Sequence, residues 1–374
     1  MNFLLPGHVL KYDISPISLS KIKFNNKNNL FFQRLKEKVN LYFERNHISS
    51  TGNVALYLKS VLLLCSAASL YISLVFLHPD TFLAVLLCIL LGSNLAGIGF
   101  NIMHEGGHQS FSKSKWMNRL SAYFLNILGG NALFWKMKHN INHHTYTNIE
   151  GMDGDIEVEP FMRLHLSQKK YWAHRFQHIY WVILYGISYF SWVFIDDFTK
   201  YFSGKVTSGS VPMKWELKEH FIFWGTKLAY MGLYLGVPIA FVGIVHTLIG
   251  FAILTFACGL SIAIVFQMAH VVEDTVFISP TSDTEKVEEE WAVHQIRTTA
   301  NFGTGNKLLC WLLGGLNFQV EHHLFPKISH VHYPALNQLV KETCKEFNLT
   351  YLEYPSLFRA FCSHLMHIKK MGIA

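Results

Sequence analysis

From Leu228 to Met268 the chain runs 41 residues without a lysine, arginine, aspartate or glutamate. Drawn as one helix rising 1.5 Å per residue, that stretch is about 60 Å long, twice the hydrocarbon thickness of a bilayer. In hydrocarbon every backbone polar group needs a partner within the protein, which favours helices as the way across. The stretch therefore predicts two spans with a turn between Pro238 and Gly250. A second apolar pair precedes it, joined by the short His78-Pro79-Asp80-Thr81. The expected fold is an all-α integral membrane protein with four transmembrane helices in two hairpins, at about 54–77, 82–103, 222–242 and 247–268. Composition agrees, because only 15% of residues are charged where soluble domains carry about 25%.

The net charge of +7 comes from 32 basic and 25 acidic residues. It reads as positive flanks on the cytoplasmic side, and no basic stripe suited to nucleic acid accompanies it. Residues 1–53 form a polar, mildly basic cytoplasmic segment. Met1 to Leu10 lacks both the charged start and the apolar core of a cleaved signal peptide. Leu30 to Phe43 has helical apolar spacing and is expected to lie along the membrane surface. The six cysteines contain no CxxC pair and several sit in apolar runs, which predicts reduced, buried thiols. Neither hairpin tip carries Lys or Arg, so both tips should face away from the cytoplasm. The acidic stretch 273–290 reads as a solvated cytoplasmic loop.

Three histidine clusters stand out against this apolar background: His104-Glu-Gly-Gly-His108, His139-Asn-Ile-Asn-His143-His144 and Gln319-Val-Glu-His322-His323. Residues four apart on a helix share a face, which pairs His104 with His108, His139 with His143, and Gln319 with His323. Neutral imidazole is the commonest metal ligand and suits iron, zinc and copper. Three clusters at ligand spacing outweigh the reading of each as ordinary core or surface histidines. His270, at the end of the fourth span, makes eight imidazoles, more than one six-coordinate metal can use. Two metal ions could share them with positions left open. Gln319 is a ninth candidate, directly or through water. If one site uses all three clusters, an even number of spans separates them, so the apolar segments 120–135 and 176–195 are expected to be interfacial or re-entrant.

The three clusters, set around two hairpins, resemble the membrane-bound fatty acid desaturases. Asn317-Phe-Gln319-Val-Glu-His322-His323-Leu-Phe-Pro326 is similar to the third box of the front-end branch, where glutamine replaces the first histidine. The resemblance covers about residues 50–345 and takes in His139–Asp155 and Trp291–Phe302, within an expected desaturase domain at 54–345 followed by a cytoplasmic tail at 346–374. It implies a di-iron centre that activates O₂ and removes two hydrogens from an unactivated acyl chain carried on CoA or on a lipid, with the new cis double bond on the carboxyl side of an existing one. Its iron ligands are then His104, His108, His139, His143, His144, His322 and His323, with His270 and Gln319 completing the set. Asp153 and Asp155 are candidates to orient ligating imidazoles from behind, against the plainer reading of an exposed turn. Many front-end members carry a fused cytochrome b5 with a His-Pro-Gly-Gly motif. No such motif occurs here, which predicts a separate cytochrome b5 or ferredoxin, with its reductase, docking on the cytoplasmic face. The compact chain points to a bacterial inner membrane rather than the endoplasmic reticulum. Trp135, Trp291 and Trp311 are candidates for the lining of an acyl tunnel, set against ordinary packing.

Other readings stay open from the residues. His104-Glu105-x-x-His108 alone matches a zinc metalloprotease with Glu105 as base, although two further clusters and the hairpins weigh against it. A hydroxylase or sphingolipid desaturase shares the scaffold and differs only in product. A haem-binding electron carrier wants histidines inside facing spans, and only His246 is placed so. A metal transporter wants ionisable groups within the spans, and these have almost none.

Overall fold

The architecture is that of a computed structural model, which describes residues 22–26, 29–206, 212–279 and 286–374. Met1–Leu10, where no cleaved signal peptide is expected, and the middle of the acidic loop, 280–285, fall outside those residues. Helix α1 is Leu30–Asn46, and α2 (Val54–Phe76) begins where the Asn53 side chain accepts the Leu56 N–H. Asp80 caps α3 (Thr81–Gly107) in the same way through Leu83. Helix α4 (Lys115–Ile127) leads through a tight turn to α5 at residues 132–146. Then come α6 (Trp172–Ser203), α7 (Leu217–Val242) and α8 (Ile244–His270). Gly243, at φ +82, makes the turn between α7 and α8, inside the expected Pro238–Gly250 window. The remaining helices are α9 (Trp291–Thr298), α10 (Lys307–Leu312), α11 (Gln319–Leu324), α12 (Tyr333–Glu346) and α13 (Leu357–Ile373). Strand pairing among the described residues consists of two short parallel ladders, Lys23–Phe24 with Lys286–Val287 and Asn301–Phe302 with Glu353–Tyr354, and a single bridge between Ile149 and Ile278.

Among the described residues, five helices are long and apolar enough to cross a membrane: α2, α3, α6, α7 and α8. Four match the expected spans to within a few residues. The fifth, α6, extends the expected 176–195 segment to 32 residues. These helices pack around Leu91, Leu95, Tyr189, Val193, Tyr230, Leu254 and Cys258. Small residues let the axes approach, as is usual between membrane helices. A Cβ on Gly92 would lie 2.3 Å from the Leu254 carbonyl oxygen, and one on Gly259 only 2.6 Å from that of Gly186.

Above the bundle sits a helical cap. Phe31, Leu35 and Val39 of α1 bury against Ala292, Ile296, Phe318, Leu336 and Val340, so the apolar face expected on the membrane surface is spent on the cap. Residues beyond 346 also fold into it, since α13 packs on α6 and α8. All six cysteines are free thiols, as expected, but only Cys88, Cys258 and Cys344 are buried, and Cys65 is exposed. Among the described residues four π-helical turns interrupt the ordinary pitch, at Trp192–Asp196, at Gly232–Gly236, at Gly99–Met103 just before His104 and at Lys136–His143, and the last two lead into or carry histidine clusters. Such turns gather at functional sites because they rotate the side chains that follow.

Candidate metal centre

The three clusters, 35 to 218 residues apart in sequence, converge at the seam between bundle and cap. Helix α3 delivers His104 and His108, α5 delivers His139, His143 and His144, α8 ends on His270, and α11 carries Gln319, His322 and His323. Ligand atoms of His104, His108, His139 and His322 lie within 4.8 Å of one another, and those of His143, His270 and His323 form a second such group. His144 stands between the two groups. Its ring centroid is 4.6 Å from that of His322 and 4.4 Å from that of His323, and its Nε2 is 3.2 Å from the His139 Nε2. The His104 Nε2 reaches the same His139 nitrogen at 3.2 Å. Gln319 lies beside His270, with Nε2 to Nε2 at 3.3 Å.

What lies behind these rings decides what they are for. The His143 Nδ1 meets Asp153 at 3.1 Å, the His323 Nδ1 meets the Gln295 Oε1 at 2.8 Å, and the His322 Nδ1 meets the Tyr333 hydroxyl at 3.1 Å. The His270 Nδ1 faces the Thr298 carbonyl oxygen at 3.3 Å. Their opposite nitrogens point into the centre. The Nε2 atoms of His108, His143, His322 and His323 are buried with no hydrogen-bond partner among the described residues, as are the His144 Nδ1 and the Gln319 Oε1. A buried polar atom without a partner is costly, and one ring nitrogen tied back while the other faces inward is the arrangement of a metal ligand. The donor set is nitrogen with one amide oxygen. It fits iron with positions left open.

Protonation agrees with that role. Burial, reinforced by neighbouring imidazoles, holds His108, His139, His144, His322 and His323 below the ordinary histidine value. They are neutral and ready to bind at physiological pH. His143 is the exception. Burial lowers it, but the charge and hydrogen bond of Asp153, with the charge of Asp155, outweigh burial and raise it. An unfolded chain takes up protons near the ordinary value of about 6.5, whereas the folded chain does so at these five rings only well below it. Between those limits the unfolded state binds more protons, so stability rises with pH and is lost on acidification. Chelator-treated protein should accordingly melt at a lower temperature at pH 5.5 than at pH 7.5, as thermal unfolding in detergent will show. Equal melting points would mean that these rings are not buried neutral.

Asp153 is fully buried, which excludes the exposed-turn reading for it. Asp155 lies 3.6 Å from the His143 Nδ1 but pairs more closely with Lys138, at 2.6 Å. Gln295, Tyr333 and Thr298 were missed from sequence. Neutral side chains and a backbone carbonyl carry no ligand signature, although Gln295 and Thr298 fall in the Trp291–Phe302 stretch that the resemblance marked. Phe266, packed on His143 and His270 at 5.0 and 4.8 Å between centroids, was missed as well. Among the tryptophans, Trp135 stacks on His139 at 4.5 Å and meets His104 and His108 edge-on. Trp291 donates its indole N–H to the His144 carbonyl at 3.1 Å. Trp311 instead lies under the Lys59 ammonium.

Glu105 is bound to His330 and Ser110 rather than to the clustered histidines. Its Oε1 accepts the His330 backbone N–H and Nδ1–H at 2.9 and 2.8 Å, and its Oε2 accepts the Ser110 hydroxyl at 2.9 Å. A carboxylate so committed is a strut between α3 and the cap and is not free to act as a base. Glu105→Gln, which keeps an acceptor, should retain product formation. Glu105→Ala strands three buried donors at about 1–3 kcal/mol each and should lower the melting temperature sharply. Loss of product from the glutamine variant with normal melting would restore Glu105 as a proton carrier.

A sequence profile described as fatty acid desaturase matches residues 80–355. The chain belongs to the fatty acid desaturase family. An sn-1 linoleoyl-lipid 6-desaturase of Arthrospira platensis is 34% identical to it over 95% of both chains. Another of the same name from Synechocystis sp. is 33% identical over 96% of this chain and 99% of the relative. An acyl-lipid (8-3)-desaturase of Physcomitrium patens is 34% identical over 93% of this chain and 72% of its own. These relatives bear out the front-end resemblance carried by Gln319-Val-Glu-His322-His323. The protein is a membrane-embedded acyl desaturase.

Proposed function

We propose that this desaturase holds two irons, uses O₂ as co-substrate, and places a cis double bond on the carboxyl side of an existing one in a lipid-linked acyl chain. The observation that carries the reading is the pair of facing imidazole groups, backed by Asp153, Gln295, Tyr333 and the Thr298 carbonyl. One iron would draw on His104, His108, His139 and His322, the other on His143, His270 and His323, with His144 between them and Gln319 beside His270. When bound, the irons supply the O₂ activation needed to take hydrogen from an unactivated carbon. The chain's own residues do the rest. Trp135 and Phe266 place apolar surface against the ligands and keep water from them, and the backing residues fix each ring. The names of the relatives favour an acyl-lipid carrier and a bond at position 6 or nearby. A separate one-electron donor, a cytochrome b5 or ferredoxin, would dock on the cytoplasmic cap.

This reading needs all the clusters on one face, hence four crossings and an α6 that returns to the cap. Contacts at both ends of α6 support that. At the start, a Cβ on Gly372 of α13 would lie 2.1 Å from the His174 carbonyl oxygen. Near the far end, the Tyr201 carbonyl accepts the Trp215 indole N–H at 2.8 Å, and Trp215 packs on Phe134 of α5.

The test is iron per chain in detergent-purified protein made with ample iron, together with the lipid product. About two irons, no haem band and a new carboxyl-side alkene sustain the proposal. An alcohol would move the protein to the hydroxylases, and an unsaturated long-chain base to the sphingolipid enzymes. A single zinc or haem iron would overturn the di-iron centre.

A further inference from the structure

The charge-free run begins at Leu228, and the residue just before it is a lysine. Lys227 lies well inside the α7 span yet is only 5% exposed, and its partner Asp197 on α6 is fully buried. The Lys227 Nζ donates to the Asp197 Oδ2 at 3.0 Å, the Gly129 carbonyl at 2.6 Å and the Val193 carbonyl at 2.7 Å. Its three protons are thereby used, and Phe198 and Phe223 close over it at 5.4 and 5.6 Å. An ionisable residue within a span is costly and rarely incidental.

Gly129 belongs to the turn that reverses the chain from α4 into α5. That turn is held at several points by the bundle. The Tyr189 hydroxyl donates to the Leu128 carbonyl. The Asn126 side chain donates to the Thr226 hydroxyl and accepts the Ala132 N–H, both at 3.2 Å. Gly129 adopts φ +87, and a Cβ there would lie 2.8 Å from the Tyr230 ring. Helix α5 leaves this turn and runs, helical throughout, to His139, His143 and His144. Displacement at Gly129 therefore moves three ligands that serve both imidazole groups.

We propose that Lys227 is a positioning residue for the metal centre: by gripping the Gly129 carbonyl from within the bundle it sets the depth at which α5 presents His139, His143 and His144. The inference rests on the di-iron reading, and its test keeps the two apart. Wild-type protein without iron would refute that reading; the wild type must first hold about two irons for the variants to be judged. Lys227→Met alone leaves the Asp197 carboxylate buried and unpaired, so the informative variant is Lys227→Met with Asp197→Asn. Removing both charges keeps the volume and should leave the melting temperature within a few degrees of wild type, while the Gly129 carbonyl loses its fixed donor. Misplacing a reacting geometry by about 1 Å costs on the order of 100-fold in rate. The double variant should show a loss of that order, a changed Mössbauer spectrum and fewer than two irons. Retention of both irons, the wild-type spectrum and full turnover would make Lys227 a fold strut alone and overturn the proposal. If the double variant does not fold, Tyr189→Phe decides. It removes only the hydroxyl that holds Leu128, and should keep the fold while altering the iron spectrum and lowering turnover about tenfold. An unchanged spectrum and rate in that variant would overturn the proposal equally.

Discussion

His143→Ala and His322→Ala should each reduce double-bond formation to background while the chain stays folded in the membrane. The two replacements strike different imidazole groups, His322 with His104, His108 and His139, and His143 with His270 and His323. Each removes an inward nitrogen that is buried and unpartnered among the described residues. Alanine offers no donor in place of the lost imidazole, and each group has few nitrogens to spare. Both variants should therefore hold fewer than two irons. Their folding costs should differ. His143→Ala leaves the buried Asp153 carboxylate without the ring it faces at 3.1 Å, whereas His322→Ala leaves only the Tyr333 hydroxyl unpaired. A stranded charge costs more than a stranded hydroxyl, so His143→Ala should melt lower. Elemental analysis, product analysis and thermal unfolding on the same preparations read all three effects. Wild-type product from either variant would end the di-iron assignment.

The parts legible in sequence are those whose physics is local. An uncharged run of 41 residues has few places to go, and the turn at Gly243 fell where helix length required it. The histidines were legible because ligands must share a helix face. The π-helical turns at Gly99–Met103 and Lys136–His143 were not, because no residue type marks them. Nor were the residues behind the ligands. Gln295 is 28 positions from His323, and Tyr333 is 11 from His322. Neither carries charge or metal affinity, so only the folded chain reveals what they face. Glu105 shows the opposite risk, since its spacing alone matches a zinc protease, the other clusters weighed against that reading, and its carboxylate serves His330 and Ser110. Lys227 shows the limit of reading spans by hydropathy, because one buried cation with three acceptors barely alters a window average.

Asp153 is where the largest effect outside the ligands themselves is expected. Its two oxygens face the His143 Nδ1 at 3.1 and 3.2 Å and accept the backbone N–H groups of Asn148 at 2.9 Å and Asp155 at 3.0 Å. The carboxylate thus does two jobs. It keeps the His143 proton on Nδ1, leaving Nε2 free for metal, and it closes the loop that follows α5. Losing a carboxylate behind a ligating histidine typically costs 10- to 100-fold in metal affinity. Asp153→Asn keeps one acceptor oxygen but not the charge, and should weaken iron binding by about tenfold, with the loop intact. Asp153→Ala should approach about 100-fold and lower the melting temperature, because two backbone donors lose their acceptor. Asp155→Ala should do less, since that carboxylate is engaged mainly with Lys138. Competition with a chelator of known iron affinity gives the order directly. Equal iron retention by the alanine variants at 153 and 155 would mean that the His143 tautomer is set elsewhere. The Asp153 carboxylate would then hold only the Asn148–Asp155 loop.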